Sequence, residues 1–305
     1  MKYLIVDFSA VFCGAKYSLG TNDPSKENMD QIVYRFFKTI LSISRKVGTN
    51  NMLWCFDSKK SIRKKYYPEY KGTRKKDKTE EDITFDNFCY KLADEIRDEI
   101  LPNIGFKNIY QQEYYEADDL CAKLIEQDSS TFHDFVCMTS DEDYFQLLRN
   151  DNLKELYLVG KTKFYRKNDF VRDYDIDPDK WHLIKACAGC KSDYVVGVKG
   201  VGEKTAIKFL KGEMNHSAKK YEDIIAFKHK GRNKALVTLP HKGTKEMTIV
   251  EDELSMENFT KFCMEFGFES FLNEMFEDWS DFLGGKKDVA NSMKDRAKAR
   301  RGEKK

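Results

Sequence analysis

The chain has 305 residues, with 53 Lys and Arg against 51 Asp and Glu, a formal net charge of +2 and 41% hydrophobic residues. That length and composition support one large or two modest domains with a real core and exclude a disordered or fibrous chain. No run approaches 18 uninterrupted apolar residues, which argues against a membrane-spanning helix, and eight cysteines with no secretory leader before the first strand suit a reducing, cytoplasmic compartment. With the charges nearly balanced, a surface for a polyanion must come from segregation: residues 59–78 and 286–305 are strongly basic, while acidic residues collect at strand ends and in 251–281.

Residues 3–7 are a short apolar run closed by Asp7, as expected of a parallel strand covered on both faces. Turn chemistry at 20–25 precedes an amphipathic helix over 29–47, whose Ile32, Val33, Phe36, Phe37, Ile40, Leu41 and Ile43 share one face; Gly48 stops it. A second buried strand over 52–56 delivers Asp57. From Ser58 to about Thr84 basic residues interleave with tyrosines, among them Lys64, Lys65, Tyr66, Tyr67, Tyr70, Lys71 and Arg74. A solvated excursion would read the same way, but this one leaves the sheet directly after Asp57, which sets cations and stacking faces over the strand ends.

A helix over 80–101, closed by Pro102 and Gly105, leads to a strand over 108–112 and then to Tyr115-Glu116-Ala117-Asp118-Asp119-Leu120. Acidic residues in a helix's first turn are ordinary, but three carboxylates in four positions exceed what a helix start needs. A strand over 135–138 runs into Asp141 and Asp143, a short helix covers 144–148, and strands over 153–159 and 163–166 form the far edge. The order predicts a doubly wound α/β sheet, in which the strand ends share one crevice. Two carboxylates about 4 Å apart repel by roughly 4 kcal/mol at an effective dielectric near 20, so the cluster calls for cations. Hard oxygen donors point to Mg²⁺ or Mn²⁺. Cations above a metal cluster suit phosphodiester cleavage.

Asp177-Pro178 opens a further helix, followed by a glycine-rich turn, Gly197-Val198-Lys199-Gly200-Val201-Gly202, and a helix from Glu203 that carries Lys204 and Thr205. Backbone amides and a helix N-terminus together make a sequence-independent phosphate site, although a plain turn between helices fits the same glycines. Short helices are expected over 222–227, 233–239, 256–266 and 268–276. Cys187 and Cys190 with His182 invite a zinc reading, but Cys187 lies on the apolar face of its helix and is expected in the core.

In this order and spacing the motifs resemble the 5′-nuclease superfamily, which includes bacteriophage flap endonucleases and the 5′-exonuclease domain of bacterial DNA polymerase I, over roughly residues 1–280. The resemblance implies a PIN-like, mainly parallel α/β nuclease domain over 1–176 with a basic helical arch at 58–84. A helical domain with a helix-three-turn-helix element would follow over 177–280, and a basic flexible tail over 281–305. It implies that Asp7, Asp57, Glu116, Asp118 and Asp141 hold one metal ion, and that Asp143 and Asp193, with Asp118 and Asp119 nearby, hold a second. Lys71 and Arg74 would contact the scissile phosphate. Lys64, Lys65, Tyr66, Tyr70 and the glycine turn (Gly197, Lys199, Gly200, Gly202, Lys204, Thr205) would bind DNA, with K⁺ at the turn.

One departure stands out. The family's Gly-Asp-x-x-Asp-Asn is here Gly189-Cys190-Lys191-Ser192-Asp193-Tyr194, so the second site has lost a carboxylate and is expected to bind its ion weakly. The implied activity is that of a free-standing, monomeric 5′-nuclease on DNA flaps, nicks or gaps and on RNA primers paired to DNA. Expected partners are a single-strand binding protein and a sliding clamp, the latter through Trp279-Ser280-Asp281-Phe282-Leu283-Gly284-Gly285, unless Phe282 and Leu283 fold back onto the helical domain. The Lys- and Asn-rich composition resembles phage proteins, which would place the chain in a host cytoplasm. Two other classes share parts of the pattern: a junction-binding protein with catalysis weakened by Cys190, and an RNA-directed PIN-like nuclease, against which the basic arch and glycine turn argue.

Overall fold

The computed structural model describes residues 1–72, 78–128 and 133–284. Its centre is strand β1 (Lys2–Asp7), whose apolar residues are almost wholly shielded. Leu4 and Val6 belong to the core on one face of the sheet and Tyr3 and Ile5 to the core on the other, as the two-residue period of a strand requires. Strand β2 (Met52–Phe56) pairs parallel on one side of β1 and β3 (Ile109–Gln111) follows it, while β4 (Asp134–Thr139) and β5 (Leu153–Leu158) pair parallel on the other side. Strand β6 (Lys163–Tyr165) closes the far edge antiparallel, giving the order β3-β2-β1-β4-β5-β6. The chain thus winds outward from β1 in one direction and restarts beside β1 in the other. The reversal lies between β1 and β4, where an open α/β sheet leaves its crevice.

One face carries α1 (Phe8–Tyr17), α2 (Lys26–Val47), α4 (Glu80–Glu95) and α5 (Leu101–Ile104). Helix α3 (Ile62–Tyr66) lies between β2 and α4, in the basic segment. Ser25 caps α2 by accepting from Asn28 N, and Gly48 ends it at φ +73°. Helix α1 departs from the sequence reading, in which Asp7 only ends a strand. The same carboxylate caps the next helix, whose buried face is Phe8, Ala10, Val11, Phe12 and Ala15. Pro102 does not close the helix before it: a π turn over Ile96–Ile100 absorbs the break and α5 runs on to Gly105, φ +110°.

The other face carries α6 (Ala117–Gln127), the 3₁₀ segment Glu142–Arg149, α7 (Lys167–Tyr174) and α8 (Trp181–Ala188). A two-residue hairpin, β7 (Gly189–Cys190) and β8 (Val195–Val196), follows α8 and leads through the glycine turn to α9 (Glu203–Leu210), α10 (Lys219–Ala226) and α11 (Lys230–Val237). Beyond α11 the chain runs along the edge at β3, where the Asn108 amide bonds both backbone groups of Val250, at 2.8 and 2.9 Å.

Helices α12 (Met256–Glu265), α13 (Glu269–Leu272) and α14 (Phe276–Leu283) then return to the α2 face. Trp279 packs on Phe259 with ring centroids 4.4 Å apart, and Asn50 Nδ2 donates to Phe282 O at 2.9 Å. Trp279, Phe282 and Leu283 are 1%, 0% and 4% exposed. This corrects the clamp-docking reading of that stretch, because the side chains a clamp would take up are core residues. No helix among the described residues is long and apolar enough to cross a membrane.

Candidate active site

The acidic residues meet at the carboxyl ends of β1, β2 and β4. Asp7 is both the last residue of β1 and the cap of α1: its Oδ1 accepts from Ala10 N at 3.2 Å, and its Oδ2 from Tyr144 OH at 3.0 Å and Thr139 Oγ1 at 3.3 Å. Burial, with Cys121 and Asp57 nearby, pushes its carboxyl well above the ordinary range. Asp57, one residue past β2, accepts from Ala117 N at 2.8 Å and from the Ser9 hydroxyl. Asp7 therefore ties β1 to α1, β4 and the 3₁₀ segment, and Asp57 ties β2 to α1 and the start of α6.

Around that helix start, Glu116 accepts from Lys71 Nζ at 2.7 Å, Tyr70 OH at 3.2 Å and Ser61 Oγ at 3.1 Å. Burial alone would raise its carboxyl, but Lys71 and Arg63 outweigh it and hold the group below its usual value. Asp118 has no such partner. Burial and the Asp119 charge drive its carboxyl well up, and its Oδ1 is buried without a hydrogen-bond partner. Asp119 departs from expectation. It is 0% exposed, and Arg63, 1% exposed, forks onto both its oxygens at 2.6 and 2.8 Å, while His241 N adds a bond at 2.7 Å. Its oxygens are filled by protein donors, so it is a structural ion-pair member and not a metal ligand.

A second group gathers beside the first. Asp141 caps the 3₁₀ segment by accepting from Asp143 N at 2.8 Å, and poor solvation of the crevice raises its carboxyl. Asp143 is pushed up to about 7 by burial and by Asp141. Asp193, on the β7–β8 hairpin, takes Tyr70 OH at 3.4 Å on its carboxylate and Lys71 N at 2.9 Å on its carbonyl. Lys185 Nζ stands 3.5 Å from Asp143 and 3.4 Å from Glu203. Burial would lower both Lys71 and Lys185, but the surrounding carboxylates raise them, so both stay charged.

This donor set fits divalent cations. Asp118 Oδ1 and Asp143 Oδ1 are buried acceptors without a hydrogen bond, and several carboxyls are pushed upward by burial and by one another's charge, which a cation would relieve. Among the described residues, the metal-type donors that lie within 4.8 Å of one another are those of Asp143, Cys190 and Asp193. Glu116, Asp118 and Asp141 lie near Lys71 as well, and Asp7 and Asp57 stand near one another at the ends of β1 and β2. The zinc reading of Cys187 and His182 is not assembled: Cys187 is a core residue beside Ile184, and His182 is not part of that group.

Of the residues assigned to nucleic acid, Lys64, Lys65 and Tyr66 are exposed on α3. Tyr70 is not a stacking face: it is 2% exposed, and its hydroxyl serves Glu116 and Asp193. Arg74 lies outside the described residues. At the glycine turn, Val198 and Val201 are buried anchors while Lys199, Gly200, Gly202 and Lys204 face solvent and Thr205 is half-buried. Gly200 takes φ +73°, and at Gly197 a Cβ would lie 2.3 Å from the Ala188 backbone, which sets how tightly the turn sits on α8.

Sequence reasoning missed Arg63, Tyr144 and Lys185. Arg63 is one cation in a basic run, and nothing local marks it as buried. Lys185 carried a signal, being the single lysine in Trp181-His182-Leu183-Ile184-Lys185-Ala186-Cys187, an otherwise largely apolar helix.

Residues 2–175 match the family described as 5′-3′ exonuclease, N-terminal resolvase-like domain. The chain is 30% identical to thermostable DNA polymerase I of Thermus thermophilus over 69% of its length, and 28% identical to DNA polymerase I of Streptococcus pneumoniae over 92%. It spans 24% and 34% of those proteins, about a quarter to a third. Among solved structures it resembles the bacteriophage T5 flap endonuclease in a complex with DNA and metal ions, with a TM-score of 0.64 at 21% identity, covering 79% of this chain and 90% of that one. That likeness supports the fold, and the family match over more than half the chain settles descent: the protein belongs to the 5′-3′ exonuclease family through its N-terminal resolvase-like domain.

Proposed function

We propose that the protein is a divalent-cation-dependent 5′-nuclease that hydrolyses phosphodiesters at DNA flaps, nicks and gaps and removes RNA primers paired to DNA. The observation that carries this reading is the convergence of Asp7, Asp57, Glu116, Asp118, Asp141, Asp143 and Asp193 on one crevice, with orphaned carboxylate oxygens and Lys71 in their midst. Mg²⁺ or Mn²⁺ held there would supply an activated water and neutralise charge on the attacking and leaving oxygens.

The chain's own residues do the rest. Lys71, charged and tethered to Glu116, binds a non-bridging oxygen of the scissile phosphate once the carboxylates are otherwise neutralised. Tyr70 orients Glu116 and Asp193 through its hydroxyl. Arg63 fixes α3 to α6, so that exposed Lys64, Lys65 and Tyr66 meet a single-stranded 5′ end, and Arg74 joins Lys71 in contacting the scissile phosphate. The turn at Gly197–Gly202 with Lys199, Lys204 and Thr205 serves as the helix-three-turn-helix grip on duplex phosphates, and the same turn would hold K⁺. The protein acts as a monomer alongside a single-strand binding protein. A second reading rests on Cys190, which replaces a carboxylate at the second group: a junction-binding protein with weakened turnover.

The test is cleavage of a 5′-labelled DNA flap, a nicked duplex and an RNA–DNA hybrid across Mg²⁺ and Mn²⁺ titrations, with Asp118→Ala as control. Cut products near the junction that need metal and vanish in the variant are expected. Flap binding without cleavage under either metal refutes the nuclease and favours the second reading.

A further inference from the structure

At the second group the donor set is not all oxygen. The Sγ of Cys190 and carboxylate oxygens of Asp143 and Asp193 lie within 4.8 Å of one another, and all three residues are buried. Asp143, 7% exposed, presents an Oδ1 that accepts no hydrogen bond, although Lys185 Nζ stands 3.5 Å away. The thiol contacts Ser192 Oγ at 3.0 Å. Both ends of the triad are fixed from outside: Asp143 sits in the 3₁₀ segment, and Asp193 is held by Tyr70 OH and Lys71 N.

We propose that Asp143, Cys190 and Asp193 form a binding site for a borderline-soft divalent cation of the Zn²⁺ or Co²⁺ class, held by the Cys190 thiolate and two carboxylates. The proposal rests on reading the crevice as a cation site. Mg²⁺ could use the two carboxylates with waters at ~2.0–2.1 Å but gains nothing from the sulfur, a poor ligand for a hard cation. Zn²⁺ accepts sulfur at ~2.3 Å and oxygen at ~2.0–2.2 Å in a tetrahedron, with donors roughly 3.3–3.6 Å apart. Side-chain adjustment of about an ångström closes the triad to that spacing.

Binding releases the thiol proton, and any proton on the Asp143 carboxyl, to solvent and forms one metal–sulfur and two metal–oxygen bonds. The fourth tetrahedral position stays open for water or a phosphate oxygen, the arrangement of a catalytic rather than a structural site. Lys185 is a built-in competitor for Asp143. With Glu203 at 3.4 Å as its alternative partner, its ammonium has somewhere to go when a metal ion arrives.

The experiment titrates Co²⁺ into the metal-free full chain and follows the sulfur-to-cobalt charge-transfer band in the near ultraviolet, with Zn²⁺ displacement giving relative affinity. The expected result is a saturable band at one equivalent. Cys190→Ser should abolish it and weaken Zn²⁺ binding at least ~10-fold, on the scale by which lost metal-site partners act. Lys185→Met should tighten binding, and Cys190→Asp should lose the band while gaining Mn²⁺ affinity.

No band in the parent protein, or an equal band in Cys190→Ser, overturns the proposal. Should Cys190→Ser not fold, Asp193→Asn decides, since it keeps the thiol: a weaker band supports the site and an unchanged band overturns it. Flap cleavage is read separately. A band without cleavage refutes the nuclease and leaves the thiolate site standing, whereas cleavage without a band does the reverse.

Discussion

Arg63→Met is the most informative single change to stability. The guanidinium is 1% exposed, bonds both oxygens of Asp119 at 2.6 and 2.8 Å and donates from Nε to Leu236 O at 2.8 Å, joining α3, α6 and the end of α11. Methionine fills much of the volume but leaves Asp119, 0% exposed, with the backbone donors of Glu116 and His241 and no counter-charge. Breaking a buried pair by removing one partner costs about 3–5 kcal/mol. For a chain of this length that corresponds to roughly 5–8 °C in Tm. The double change Arg63→Met with Asp119→Leu removes both charges, so it should recover most of the loss, because the pair's desolvation offsets its attraction. Thermal melts of the parent, both singles and the double, in chelator at one pH, measure the coupling. If Arg63→Met melts within about 1 °C of the parent, or the double loses the sum of the singles, the ion pair does not hold α3 to α6 and the reasoning is wrong.

Three further outcomes are expected. Burial and the Asp141 charge push the Asp143 carboxyl up to about 7, against ~3.9 for an unfolded aspartate, so in metal-free protein the folded state is expected to bind the extra proton between those values. Its contribution to stability is therefore present at low pH and lost as pH rises through about 7. Melts from pH 5 to 8 in chelator should fall toward high pH, and Asp143→Asn should flatten the slope; an unaltered slope refutes the assignment. Trp279→Ala should cost about 3–5 kcal/mol as a core deletion, read by thermal melt, whereas a surface docking residue would leave the melt unchanged. Tyr194 holds φ +58° while 39% exposed, so Tyr194→Asn should stabilise by roughly 0.5–1 kcal/mol because asparagine tolerates that conformation; a lower Tm would show that the ring packs usefully.

The strands and the crevice were legible because their causes are local. Continuous apolar runs mark buried parallel strands, and a carboxylate after each run marks the crevice rim. Helix α1 was lost because Asp7 does two jobs, ending one element and capping the next. Which cation in the run from Lys59 to Lys78 is buried depends on Asp119, 56 positions away, and no periodicity encodes that. Tyr70 read as a stacking face because it sits among exposed lysines, yet the β7–β8 hairpin and α11 cover its ring. Trp279, Phe282 and Leu283 resembled a docking peptide because an aromatic and leucine cluster near a basic tail looks the same whether or not a distant helix covers it.

The return of α12–α14 to the α2 face bears on the order in which the molecule can become itself. Tyr34 meets Ser270, Arg45 meets Asp278 and Asn50 meets Phe282, each across more than 230 positions. A ribosome therefore makes every carboxylate of the crevice well before it makes the helices that seal the opposite side of the sheet. Until α14 emerges, Phe37 and Phe106 lack the rings of Trp279 and Phe282, and loop closure over that distance slows the last step. The acidic crevice thus gains its rigid backing only once α14 is available, after the glycine turn between α8 and α9 has already been made.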